Sequence, residues 1–238
     1  SCLNIVLLES GSIHNNRSII KGRQHLHLSR VLKVGVGSTF RVGQINGLIG
    51  DAMVTSIDDD STAIELSLTD NPPPPLPLGL ILALPRPKML KRVLQSMASM
   101  GLKSVYIINA YKVEKSYWQS KFLEPEKIME QLILGLEQSC DTWMPEISLH
   151  QSFKQFIEYK IGDIVCPEFN FVAHPNGSVS CPINLSAESL IAVGPEGGFT
   201  PYEIQKFEEN GFRSVTLGPR ILRVENAVTA ILARLYPN

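Results

Sequence analysis

The hydrophobic pattern changes character near residue 78. Before it, apolar residues come in short runs broken by turn residues; after it, apolar runs alternate with helical stripes. Leu3–Leu8 reads as a buried strand. Leu28, Val31 and Leu32 stand at helical spacing within residues 24–32. Thr39–Val42 leads into a turn at 44–47, where Asn46-Gly47 is a strong hairpin signal. Leu48–Ile57 follows, then the turn Asp58-Asp59-Asp60, then Ala63–Leu68 with alternating apolar positions. Four or five short strands with one small helix predict a compact β-barrel over 1–71.

Asn71-Pro72-Pro73-Pro74-Pro75-Leu76-Pro77 marks the boundary, because consecutive prolines favour a stiff polyproline II segment without ladder donors. Residues 72–77 are therefore the expected linker, and 78–238 the second domain. There, strands are expected at Leu78–Leu84, Val105–Ile108, Ile147–Leu149, Asn170–Ala173, Leu190–Val193 and Val215–Leu217. Helices are expected at Lys88–Met100, Glu126–Gln138, Ser152–Tyr159, Pro201–Asn210 and Ala227–Tyr236. This alternation predicts an α/β fold with a mostly parallel sheet and helices on both faces. No internal repeat is visible.

One stretch suggests chemistry. In Ile191-Ala192-Val193-Gly194-Pro195-Glu196-Gly197-Gly198-Phe199-Thr200-Pro201-Tyr202-Glu203, an apolar strand runs into a glycine-rich turn and a capped helix. Thr200 and Glu203 have capping-box spacing, and Pro201 occupies the first helical position. Loops at the carboxyl ends of parallel strands are where open α/β sheets bind ligands. Neither glycine-loop phosphate fingerprint fits, and Glu196 would repel a phosphate. The loop suits hydroxyls or positive charge, such as a ribose or a sulfonium; the alternative is a tight connection whose glycines are steric. A second strand–glycine–helix unit follows, with Gly218-Pro219-Arg220-Ile221-Leu222-Arg223-Val224-Glu225-Asn226-Ala227 leading into the last helix.

The motifs "GPEGGFTPYE" and "LGPRILRVENA" resemble those of the RsmE family, the 16S ribosomal RNA uridine-N3 methyltransferases of the knotted SPOUT class. The resemblance extends to "HLHLSRVLKVGVGSTFRV" and so covers nearly the whole chain. It implies an N-terminal PUA-like barrel that helps hold RNA, a C-terminal SPOUT domain with a deep trefoil knot, and a homodimer paired through the closing helix. It also implies S-adenosyl-L-methionine as cofactor. The cofactor would be held by His174, by Val193, Gly194, Glu196, Gly197 and Gly198, and by Leu217, Gly218, Ile221 and Leu222. Arg223 is the first candidate for stabilising the deprotonated uracil, Arg220 the second, with Glu225 an orienting partner or proton acceptor. The apolar stripe Val228, Ile231, Leu232 and Leu235 suits either the dimer contact or internal packing.

Composition limits these readings. The net charge of −1 excludes attachment to RNA by bulk electrostatics, so any RNA footprint is local. Two basic clusters qualify: Lys21, Arg23, Arg30 and Lys33 in the first domain, and Arg86, Lys88, Lys91 and Arg92 after the linker; each is equally a solvated face. The four cysteines and five histidines form no metal spacing, so no metal is expected. No membrane-length apolar run and no signal-peptide layout is present, and a reduced, cytoplasmic protein is expected. The chain departs from the commoner family pattern at Asn226, at Asp141 and in the uncharged stretch Ser96–Met100. Those departures leave two alternatives: a non-catalytic RNA-binding or ribosome-assembly protein on a degenerate SPOUT scaffold, or a SPOUT methyltransferase with another RNA substrate.

Overall fold

The computed structural model describes residues 4–237; Cys2 and the first residue of the strand expected at Leu3–Leu8 lie outside them. The chain folds into two compact units, one formed by residues 1–74 with 133–144, the other by 75–132 with 145–238.

The first unit holds a five-stranded sheet in the order β1-β3-β4-β5-β2. Its strands are β1 (Val6–Leu8), β2 (Arg17–Lys21), β3 (Thr39–Gln44), β4 (Ile49–Ile57) and β5 (Ser61–Asp70). Only the β1–β3 pairing is parallel. The alternation read from the sequence is the cause: Ala52 and Val54 on β4 and Ile64 and Leu66 on β5 face the core, with polar residues between them. The hairpin turn between β3 and β4 has Asn46 in the left-handed region at a φ of 59°, which asparagine tolerates better than most residues. β2, where the sequence analysis places no element, completes the edge against β5, with Ile20 inward and Ile19 outward.

The helix expected at residues 24–32 begins earlier, as α1 (Gly22–Leu26), and continues as a π-turn over His27–Val31. His25 on α1 is buried. Its Nε2 donates to the Asp59 carbonyl at 3.0 Å, which leaves Nδ1 to accept from the Thr62 hydroxyl at 2.8 Å.

Residues 133–144 pack with this sheet. The amides of Asn4 and Ile5 donate to the Glu137 carbonyl at 3.1 and 3.2 Å. Thr142 Oγ1 donates to the Gly47 carbonyl at 2.6 Å, and the Met144 amide to Asn46 Oδ1 at 2.8 Å. The Glu137 carboxyl is 1% exposed and forms an ion pair with Arg23. Burial pushes its pKa above the ordinary carboxylate value, and Arg23 draws it partly back.

The second unit is built on a seven-stranded sheet in the order β10-β12-β9-β11-β6-β7-β8, parallel at every pairing. The strands are β6 (Leu78–Ala83), β7 (Ser104–Ile108), β8 (Glu146–His150), β9 (Phe169–Ala173), β10 (Val179–Ser180), β11 (Ser189–Val193) and β12 (Arg213–Thr216). β11 is buried along its whole length, as a central parallel strand must be.

The longer helices are α2 (Pro87–Ser99), α3 (Pro125–Ser139), α6 (Pro201–Glu209) and α7 (Val224–Leu235). Residues 153–164 form α4 (Phe153–Gln155), a π-turn (Phe156–Lys160) and α5 (Ile161–Ile164), five residues beyond the predicted end at Tyr159. Ser152 caps α4 by accepting from the Gln155 amide at 3.2 Å.

Three differences from expectation lie in the last two elements, β12 and α7. β12 stops before Leu217, because the Thr216 hydroxyl turns the chain by accepting from the Gly218 amide at 3.2 Å. α7 starts at Val224, one turn before the predicted Ala227, with extended Arg223 as its N-cap. The stripe Val228, Ile231, Leu232 and Leu235 is buried within the chain, so it packs internally. No helix among the described residues is long and apolar enough to cross a membrane.

Glu137 generates a pH prediction. Its raised pKa means that the folded chain holds this proton more tightly than the unfolded chain does. The associated stability is full below about pH 4.3, the free carboxyl value, and is lost as pH rises through the folded value. Thermal melts of a Glu137→Gln variant between about pH 4 and pH 7 will show a flatter slope of Tm against pH than the parent. Parallel slopes would show that Glu137 does not titrate in this way.

Candidate active site

The carboxyl ends of β9, β11 and β12 open into a cavity of about 320 Å³, at the small end of the range for ligand sites. The β9 loop contributes His174, whose Nδ1 accepts from the Asn176 amide at 3.1 Å, fixing the ring. The β11 loop contributes Val193, Gly194, Glu196, Gly197 and Gly198. Gly198 takes a φ of +78° and donates to the Pro195 carbonyl at 2.7 Å, which closes the turn. The β12 loop contributes Leu217, Gly218, Ile221 and Leu222. The structure thus brings together around one cavity every residue that the family resemblance assigns to the cofactor.

The capping box forms as the spacing predicts. Thr200 Oγ1 accepts from the Glu203 amide at 3.2 Å, and Glu203 Oε1 accepts from the Thr200 amide at 2.8 Å. Glu203 is 3% exposed, and its second oxygen accepts from the Tyr111 amide at 2.9 Å. One buried carboxylate therefore ties the start of α6 to the loop after β7.

That loop supplies a lining residue that sequence reasoning missed. Lys112 packs its stem against Gly197 and donates from Nζ to the Gly197 carbonyl at 2.7 Å. "NAYKVEK" carries no motif, and only the position of β7 in the sheet brings Lys112 to the cavity. Thr216 and Phe199 also line it and were not singled out.

The catalytic candidates separate. Arg220 lines the cavity; Arg223 and Glu225 do not. Arg223 is exposed at the N-cap of α7, and Glu225 lies in its first turn, where a carboxylate complements the helix dipole. Asn226 is exposed on α7, outside the cavity lining.

Glu196 and Arg86 form a long surface pair at 4.0 Å, both more than half exposed, which contributes little stability. All five RNA candidates, Arg23, Arg30, Lys33, Arg86 and Lys88, are exposed, with Arg23 engaged by buried Glu137 and Arg86 by Glu196.

The two glycines at the mouth differ in what a methyl group would meet. A Cβ at Gly194 would lie 2.9 Å from the Phe199 amide nitrogen, which cannot yield without reshaping the turn. A Cβ at Gly197 would lie 2.8 Å from Lys112 Cδ, a methylene in a flexible stem that can shift by a few tenths of an ångström while Nζ keeps its bond to the Gly197 carbonyl. In denaturant titrations Gly194→Ala will cost about 1–3 kcal/mol and Gly197→Ala within about 0.5 kcal/mol. Equal losses would contradict the packing described for the turn.

Residues 72–236 match the family model of an RNA methyltransferase domain. The chain is 31% identical over 243 residues to the ribosomal RNA small subunit methyltransferase E of Treponema pallidum, an alignment covering 99% of this chain and 91% of that one. It is 27% identical to the protein of the same name from Synechocystis, covering 88% and 69%. Among solved structures, the ribosomal RNA small subunit methyltransferase E of Neisseria gonorrhoeae bound to S-adenosyl methionine superposes with a TM-score of 0.75 at 22% identity, covering 98% and 96%. A putative methyltransferase of Legionella pneumophila with bound cofactor gives 0.73 at 20%, with the same coverage. At these identities the structural likeness establishes the fold. Together with the family model and the full-length relative, it shows that the chain belongs to the RsmE family of small-subunit ribosomal RNA methyltransferases.

Proposed function

We propose that this protein transfers the methyl group of S-adenosyl-L-methionine to N3 of a uridine in 16S ribosomal RNA, in the cytoplasm. The observation that carries this reading is the convergence of the β9, β11 and β12 loops on one cavity. The residues there fit the cofactor: Val193, Leu217 and Leu222 offer apolar walls for a purine, the loops offer backbone donors and acceptors, and Glu196 offers negative charge to a sulfonium or ammonium. When bound, the cofactor supplies an electrophilic methyl group on sulfur.

The chain's own residues orient and polarise. Uridine N3 lies on the Watson–Crick edge, so the target base enters unpaired. The N3 proton passes to a base, the N3 electron pair forms the bond to the methyl carbon, and the carbon–sulfur bond breaks to leave a neutral thioether. Arg220, at the cavity, is the cation placed to stabilise charge on the uracil. Arg223 and Glu225 act from the N-terminus of α7 as positioning groups.

The same reading takes the five-stranded sheet with α1 as a PUA-like domain that holds RNA, its footprint including Arg30 and Lys33, and assigns Arg86 and Lys88 a second RNA contact. It places the domain boundary within residues 72–77, with the SPOUT domain over 78–238 apart from the segment 133–144, which packs in the first unit. A trefoil knot is supported by the chain's path. β12 pairs on the far side of β9 from β11, and α7 then returns against α2 and β11. The amides of Asn184 and Leu185, between β10 and β11, donate to the Arg234 and Leu235 carbonyls at the end of α7, both at 2.7 Å. A homodimer using α7 would meet on Asn226, Thr229 and Ala233, one exposed stripe.

The test is methyl transfer from labelled cofactor to small ribosomal subunits lacking base methylation, followed by nucleoside identification. Label is expected in N3-methyluridine. Arg220→Ala is expected to lower kcat about 100-fold, and Arg223→Ala less than tenfold. Label in another nucleoside would move the substrate; no label and no cofactor binding would leave the scaffold alternative.

A further inference from the structure

Two cationic side chains line the cavity, and they reach it from different loops. Arg220 follows β12 and Lys112 follows β7. In the sheet order β12-β9-β11-β6-β7 these strands lie on opposite flanks of β9 and β11, over which the cavity opens. The two cations therefore approach from opposite sides.

Lys112 is held in place. Its Nζ donates to the Gly197 carbonyl at 2.7 Å, and the preceding amide, that of Tyr111, is bound by the buried Glu203 carboxylate at 2.9 Å. An ammonium group has three donors, so one bond to Gly197 leaves two for a ligand. The other titratable or charged groups at the cavity are His174, Glu196 and Arg220, with Arg86 paired to Glu196.

The target chemistry has matching symmetry. When uracil loses its N3 proton, the negative charge spreads onto O2 and O4, the two oxygens that flank N3. A single cation meets one of them; a cation on each side meets both.

We propose that Lys112 is a catalytic residue, its ammonium stabilising one carbonyl oxygen of the ionising uracil while Arg220 stabilises the other. This rests on the methyltransferase reading of the cavity. Lys112 accepts no proton; its charge lowers the free energy of the anion that attacks the methyl carbon.

Lys112→Met and Lys112→Arg variants test this, through cofactor binding by calorimetry and through kcat and its pH profile with unmethylated small subunits at saturating cofactor. Lys112→Met is expected to lose about 100-fold in kcat at saturating cofactor, beyond any loss of cofactor affinity from the missing bond to Gly197. Its pH profile is expected to shift upward by about one unit, because the anion loses a nearby opposite charge. Lys112→Arg is expected to recover most of the rate. If Lys112→Met instead weakens cofactor binding while kcat and the pH profile stay unchanged, Lys112 only clamps the Gly197 loop and the proposal fails. A parent that neither binds cofactor nor transfers methyl overturns the underlying reading; an active parent with an equally active Lys112→Met overturns this inference alone.

Discussion

The ligand end of the second unit depends on one buried carboxylate. Glu203 accepts from the Thr200 amide with one oxygen and from the Tyr111 amide with the other, while its own amide donates to the Thr200 hydroxyl. A carboxylate taken out of water must be compensated by hydrogen bonds, and two backbone amides do that here. In return, the glycine turn, the start of α6 and the loop after β7 are fixed relative to one another. Leaving either oxygen unpaired in a site 3% exposed would carry the desolvation cost of a buried charged acceptor.

What could be read in advance follows the range of the interactions. The capping box is visible because Thr200 and Glu203 are three residues apart, and the loops after β11 and β12 are visible because each joins an apolar run to glycine and a helix; the loop after β9 is indicated only by the family resemblance. Lys112 is invisible because its partner is Gly197, 85 residues away in sequence. The same holds for Arg23, which reads as a free basic residue yet is engaged by Glu137, 114 residues further on. The return of residues 133–144 to the first sheet has no local signature either, since a boundary read from prolines says nothing of a later segment. β2 was missed for a different reason: five residues with Ile19 out and Ile20 in give too short an alternation to stand out.

Charge follows the same division between total and place. A net charge of −1 supplies no general attraction to a polyanion. Individual cations are instead set one by one. Arg220 stands on an exposed turn stiffened by Thr216 and Gly218, Lys112 on a loop held by two hydrogen bonds, and Arg86 at the N-cap of α2 beside Glu196. Fixed charges at a cavity act without the reorganisation that a mobile patch would need.

The order of strands in the second sheet also has a consequence for synthesis. The cavity needs the loops after β7, β9, β11 and β12 and the first turn of α7, which span residues 112–227. During translation, at roughly 5–20 residues per second, β6 and β7 leave the ribosome well before β9, β11 and β12, which pair only at long range. Long-range parallel pairing is slow because chain closure precedes its reward. A nascent chain therefore carries an open, fully apolar β6 edge until β11 arrives to cover it, and the ligand end takes shape last, after nearly the whole described chain has emerged.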